Sequence, residues 1–318
     1  MTGMPEPAAL AAILARRAGE TPLGEALRHK RRGDWHAWSW ADVERGTARL
    51  AAVLRGHGVT PGSAVALAGA YTPDLLLTGL AALRLGARIY AVPAALDAPA
   101  LAAWLRAHCP ALVLLNARDQ SSRWLAARAE VGLSMVILAE IHPTWQGLTH
   151  PGLLSAATLC VPPSGRVLRS RSILWGEEST DWQGGLLPLL EALTAGGRTL
   201  AFPETPLAAE RDRATVQPHA VLLSAAGLRR LHDDIHARLP AGSGLAAWLV
   251  AGALAAPRPS LVQRWLLARV RKPLGLSRLR DVALPEPGIG REEWSADLFR
   301  TLGLNAPDGA ASGLLVAA

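Results

Sequence analysis

Short apolar runs alternate with helix-length amphipathic segments along most of this chain, and that alternation leaves few folds open. Ala64-Val65-Ala66-Leu67-Ala68 follows a Pro61-Gly62 turn and has no polar face, as a strand buried on both sides requires. Pro73 then opens a helix carrying Leu75 to Leu85, closed by Gly86. The alternation continues with strand Arg88 to Val92, helix Ala98 to His108, strand Ala111 to Leu115, helix Ser121 to Glu130 and strand Ser134 to Ala139. It resumes with helix Trp182 to Ala195, strand Arg198 to Phe202, strand His219 to Leu223 and helices to about Lys272. A strand Leu279 to Leu284 and a helix Arg291 to Leu302 follow. Upstream, Trp35 to Trp40 alternates like a half-buried strand, and Ser39 caps a helix through Asp42, Val43, Leu50 and Leu54. Strands separated by helices of ten or more residues specify βαβ units: an α/β fold of mostly parallel sheet with helices on both faces.

A chain of 318 residues has room for a sizeable core, and 50% hydrophobic against 19% charged residues excludes wholesale disorder. Eleven tryptophans supply nearly all the aromatic volume. The net charge of +7 raises the question of an anionic partner. The one dense basic run, Arg28-His29-Lys30-Arg31-Arg32, lacks interleaved aromatics and is expected to be a solvated turn rather than a nucleic-acid site. Cys109 and Cys160 stand far apart without metal or disulfide spacing, which fits a reducing cytoplasm. No secretory leader and no integral membrane segment are expected.

Trp38-Ser39-Trp40-Ala41-Asp42 leads into Leu54-Arg55-Gly56-His57-Gly58-Val59-Thr60-Pro61-Gly62-Ser63-Ala64-Val65-Ala66-Leu67, then Leu80-Ala81-Ala82-Leu83-Arg84-Leu85-Gly86-Ala87 and Val92-Pro93. In this order and spacing the block resembles AMP-forming acyl-CoA synthetases of the adenylate-forming superfamily. Downstream, Leu187 to Leu193, Gly196 to Leu200, Val216 to Val221, Gly227 to Ile235 and Leu302-Gly303-Leu304 are similar to landmarks of the long-chain fatty acid–CoA ligase branch. The resemblance implies two stacked lobes of mostly parallel sheet covered by helices, as in the adenylate-forming N-terminal domain. Lobe one is expected at about 46–202, and lobe two at about 1–45 plus 203–318. It also implies truncation before a barrel-like subdomain and a mobile C-terminal domain that bears a lysine.

The departures from that family fall on its chemistry. Gly147-Leu148-Thr149-His150-Pro151-Gly152-Leu153-Leu154 resembles the tail of the family's phosphate signature and is expected to open a helix near Thr149. The preceding Ala139-Glu140-Ile141-His142-Pro143-Thr144-Trp145-Gln146 offers one hydroxyl, no glycine and no lysine. Thr144, Thr149 and His150 therefore mark a vestigial phosphate-loop region, with Trp145 expected to fill the space of the lost phosphates. On the adenine side the family's Ser-Gly-Gly turn is replaced by Leu284-Pro285-Glu286-Pro287, and its Tyr-Gly-x-Thr-Glu segment by Pro307-Asp308-Gly309. Pro285, Glu286 and Asp308 mark this degenerate region, with Asp308 at best a displaced acid.

Other constellations are weaker. His232 and His236 stand one helical turn apart, a spacing metals use, but no third ligand accompanies them and an exposed helix face explains them. Glu177 and Glu178 pair two carboxylates; the plainer expectation is that Ser179, Thr180 and Asp181 cap the next helix with both glutamates exposed. No catalytic residue, metal site or cofactor is expected.

These features favour a pseudoenzyme derived from an AMP-forming long-chain acyl-CoA synthetase, acting in binding or assembly. A protein partner or self-association through the apolar Gly313 to Ala318 is expected. Two alternatives stay open. One is a fatty acyl-CoA ligase completed by a partner chain, with ATP, Mg²⁺ and CoA. The other is a protein that carries an acyl chain or lipid.

Overall fold

The computed structural model describes residues 7–116, 120–139, 153–155, 163, 167–170, 172–194, 196–238, 265 and 268–283. A helix, α1 (Pro7–Glu20), precedes the hairpin β1 (Glu25–Arg31) and β2 (Asp34–Ser39). Next come α2 (Trp40–Gly56), β3 (Ala64–Ala68), α3 (Pro73–Arg84), β4 (Arg88–Ala91), α4 (Ala98–His108), β5 (Leu112–Leu115), α5 (Ser121–Val131), β6 (Val136–Ala139) and β7 (Leu153–Ser155). The remainder is β8 (Ile173–Gly176), α6 (Leu186–Thr194), β9 (Thr199–Phe202), α7 (Ala209–Val216), β10 (Ala220–Leu222), α8 (Ala225–Arg238) and β11 (Asp281–Ala283).

The strands form a six-stranded sheet, β11-β10-β8-β9-β1-β2, and a five-stranded sheet, β4-β3-β5-β6-β7. All pairings are parallel except the β1–β2 hairpin. This is the expected α/β class with parallel sheets flanked by helices. Strands β3, β5, β6, β8 and β10 are apolar throughout, because both faces of the sheet are covered where they lie. Val65 and Leu67 of β3, with Leu112 and Leu114 of β5, join Leu174, Leu200 and Phe202 of the other sheet in one core. Helices α1, α2, α3 and α6 contribute Leu14, Leu50, Leu76 and Leu190 to that core, so they form the layer between the sheets. The alternate residues Ala66, Val113 and Ile137 face outward onto Leu101, Leu105 and Trp124 of α4 and α5. On the far side, Trp175 and Val221 face Leu228, Leu231 and Ile235 of α8. Period-two alternation on each strand thus sorts side chains into three clusters, one between the sheets and one on each outer face.

Local signals set the helix ends. Ser39 and Asp42 form a reciprocal capping box on α2. Thr72 caps α3 with Pro73 behind it, and Asp97 caps α4.

Several expectations are corrected. The run Arg28 to Arg31 is no solvated turn: it lies in β1, between β9 and β2. Its charges are each met: Arg28 by Glu25 at 2.7 Å, Lys30 by Asp212 at 2.7 Å and Arg31 by Asp74 at 3.7 Å. Strands β8 and β9 pair into the sheet of β1. A helix opening near Thr149 is replaced, from Leu153 on, by strand β7 in parallel register with β6. Backbone bonding to β6 offers Leu153 to Ser155 a partner that a helix there would forgo.

Candidate functional site

In open parallel sheets, ligands bind at the carboxyl ends of strands where the strand order reverses. This fold has two such points. In the five-stranded sheet the chain leaves β3 to one side for β4 and crosses to the other for β5, so the first point lies between Gly69 and Asn116. In the six-stranded sheet β8 lies between β9 and β10, so the second lies between Glu177-Glu178 and Leu223-Ser224.

The first point is closed by the chain itself. Asn116 Nδ2 donates to the Ala70 carbonyl at 2.8 Å and to Thr72 Oγ1 at 3.0 Å. Gly69 has φ +125°, and a Cβ there would stand 2.8 Å from Asn116 Cβ, so the two backbones meet with only a glycine between them. Thr180, fully buried, reaches in from the segment after β8: its Oγ1 accepts from Gly69 N–H at 2.8 Å and donates to the Val92 carbonyl at 2.7 Å. Two backbone bonds, Tyr71 N–H to Glu178 O and Thr180 N–H to Gly69 O, complete the seam. Tyr71 donates its hydroxyl to the Trp182 carbonyl at 2.8 Å, and burial pushes the phenol well above its usual range, with Glu178 and Asp181 adding to the effect.

The second point is closed by carboxylates. Glu178 Oε1 accepts from Ser224 N–H at 3.1 Å and Ser224 Oγ at 2.9 Å, with Arg230 Nη2 3.4 Å from its other oxygen. Ser224 Oγ in turn accepts from Gly227 N–H. A helix N-terminus presents unpaired N–H groups and a positive dipole end, and here the protein's own carboxylate fills that place on α8. Glu177 receives both Trp175 Nε1 (2.6 Å) and Arg213 Nη1 (2.7 Å), while Arg213 Nε donates to the Leu274 carbonyl at 2.9 Å. Arg213 is 2% exposed, so breaking this pair would leave a buried cation, at a cost of about 3–5 kcal/mol.

The polar stretch 177–182 is therefore the seam between the sheets. Glu177 and Glu178 are 12% and 9% exposed rather than solvated, and Ser179 to Asp181 do not cap α6. Sequence signals for this were slight: a Gly-Glu-Glu-Ser-Thr-Asp run marks polarity but not its partners, and the roles of Asn116, Thr180 and Ser224 were missed. The sequence-derived site residues Thr144, Thr149, His150, Pro285, Glu286 and Asp308, and Trp145 with them, lie outside the described residues. His232 and His236 do converge, with ring centroids 4.3 Å apart, but among the described residues no group of three potential ligands could hold a metal. Leu228, Leu231 and Ile235 face inward beneath them, as an exposed helix face requires. Surface hollows of about 510 Å³ beside Ala48 and Arg84, and about 500 Å³ beside Trp35 and Val216, lie at neither switch point.

Residues 14–146 match the AMP-binding enzyme family. The match takes in less than half of the chain, whose fold is that of the adenylate-forming N-terminal domain. Acetoacetyl-CoA synthetase from Streptomyces lividans superposes with a TM-score of 0.62 at 16% identity, covering 94% of this chain and 50% of its own. An acyl-CoA synthetase from Brucella canis gives 0.64 at 18% identity, covering 93% and 56%. The adenylation domain of a carboxylate reductase from Mycobacterium chelonae gives 0.67 at 14%, covering 95% and 57%. At these identities the likeness is one of fold, and the chain spans about half the length of these structures. No curated protein matches. Among the described residues of this adenylate-forming frame, no helix is long and apolar enough to cross a membrane.

Proposed function

We propose that this chain is a non-catalytic derivative of an adenylate-forming acyl-CoA synthetase, retained for binding or assembly. The observation that carries the proposal is the occupation of both switch points by the chain's own groups: Asn116 with Thr180 at one, Glu178 with Ser224 at the other. A ligand would have to displace buried, satisfied hydrogen bonds to enter either crevice, each worth about 0.5–1.5 kcal/mol net and more where charge is involved.

The sequence after β7 supports the same conclusion. The residues after β7, Ala156 to Arg166, are a second place where the sequence could carry a phosphate loop. That stretch has one glycine, Pro162 and Pro163, and no lysine. Proline lacks the N–H that cradles an anion, and a loop with one glycine has few positions where backbone can approach phosphate closely. Losing a single preorganised donor to developing charge typically costs about 10²–10³ in rate.

The test is pyrophosphate release from ATP·Mg²⁺ with fatty acids from short to long chain. The expected result is no acyl-dependent release. Release that scales with enzyme and depends on the acid would overturn the proposal in favour of an AMP-forming fatty acyl-CoA ligase.

A further inference from the structure

The amino-terminal edge of the six-stranded sheet lies opposite the switch points and has a different chemistry. Ile173 pairs with Thr199, and Ala220 pairs with both Leu174 and Asp281, so His219 and Arg280 stand level with Thr199 just before their strands, and Arg198 one residue earlier on its own. The His219 carbonyl accepts from Arg280 N–H at 2.9 Å. The turn leading into β11 is tied to the same corner: Gln217 Nε2 donates to the Lys272 carbonyl at 3.0 Å, and its Oε1 accepts from Ser277 N–H at 3.1 Å. Arg278 follows on that turn. The helical residues just before it carry Arg269, whose guanidinium stands 5.0 Å from the Trp265 ring centroid.

Arg269, Lys272, Arg278 and Arg280 are exposed, and among the described residues none has an acidic partner within ion-pair distance. Asp281, 4.0 Å from Arg198, is the acid at this corner. The cations are close enough to hold His219 below its usual range: burial is the largest cause, followed by Arg278, Arg280 and Arg198. Trp265 is 56% exposed and is the tryptophan among the exposed large hydrophobic side chains of the described residues.

Among the described residues one indole stands at the end of this cation cluster, whereas a nucleic-acid track interleaves stacking rings with cations along a groove. The cluster matches an interfacial anchor, with the indole in the headgroup layer and long basic side chains reaching anionic lipid beside it. We propose that this corner, Trp265 with Arg269, Lys272, Arg278 and Arg280, docks on an anionic lipid surface. The inference is independent of nucleotide binding, because it uses the opposite edge of the sheet.

The test is co-sedimentation of the full chain with phosphatidylcholine vesicles, with and without phosphatidylserine. Binding is expected only to the anionic vesicles and is expected to fall as salt rises. Each surface cation contributes roughly fivefold in partitioning, so R278A/R280A should weaken binding about 25-fold. W265A should also weaken it, with the unfolding midpoints of both variants unchanged. Equal binding to neutral vesicles, no binding, or unaltered binding by R278A/R280A would overturn the proposal. So would tighter capture of a single-stranded oligonucleotide than of anionic vesicles.

Discussion

His29 is a buried polar residue in the middle of β1, 8% exposed, with Nε2 lacking any hydrogen-bond partner. Its pKa falls from 6.5 to about 4, first because burial penalises the imidazolium, then because Arg31 and His36 lie nearby; a hydrogen bond to the Pro203 backbone and the Asp212 charge only partly oppose this. Above pH 6.5 the ring is neutral folded or unfolded and contributes no pH dependence. As pH falls from 6.5 toward 4 the unfolded chain takes up the proton first, so stability is lost across that window. The loss is bounded at about 3 kcal/mol by the size of the shift. Urea unfolding of the wild type and His29→Gln should show the gap in stability between them shrinking as pH is lowered through this window. A gap that stays constant would mean the ring is already solvated. The basic run around His29 was misjudged from sequence for a simple reason. Lys30 finds Asp212 across 182 residues of chain, and a solvated turn and a strand with remote counter-ions have the same local composition.

Elements whose evidence is local were legible. The α2 capping box, Pro73 at the start of α3, and α4 at Ala98–His108 follow from neighbours within four residues. Strand β8 and the seam behind it were not, because the partners of Glu177 and Glu178 are Arg213 of α7 and Ser224 just ahead of α8, 36 and 46 residues away. Gly227 is the clearest sign of that seam within α8: a Cβ there would stand 2.0 Å from Glu178 Oε1. Gly227→Ala should push the carboxylate off Ser224 and cost about 1–3 kcal/mol, the penalty for unmaking buried hydrogen bonds. With Glu178→Ala in place the clash is gone, and the same substitution should stabilise by roughly 0.5–1 kcal/mol, the usual gain of alanine over glycine inside a helix. A thermal or denaturant double-mutant cycle reads this sign reversal directly. Additive effects would mean that Glu178 does not hold the α8 terminus.

At the scale of the whole molecule, the alternation of strands and helices was enough to specify mostly parallel sheet covered by helices, and the order of apolar motifs carried the resemblance that implies two lobes of the adenylate-forming fold. Which strands share a sheet was not legible, because β8 and β9 read the same in either lobe and only pairing with β1 decides between them. The same holds for the site. Switch points depend on strand order, and strand order is a long-range property. If, as proposed, this frame has given up nucleotide binding, thermal unfolding of the full chain with and without millimolar ATP·Mg²⁺ will show it. A site with a dissociation constant near 10 μM would be about a hundredfold saturated and would stabilise the fold by about 2.7 kcal/mol. With no nucleotide site, the midpoint stays where it is. A reproducible upward shift that requires Mg²⁺ would contradict the proposal.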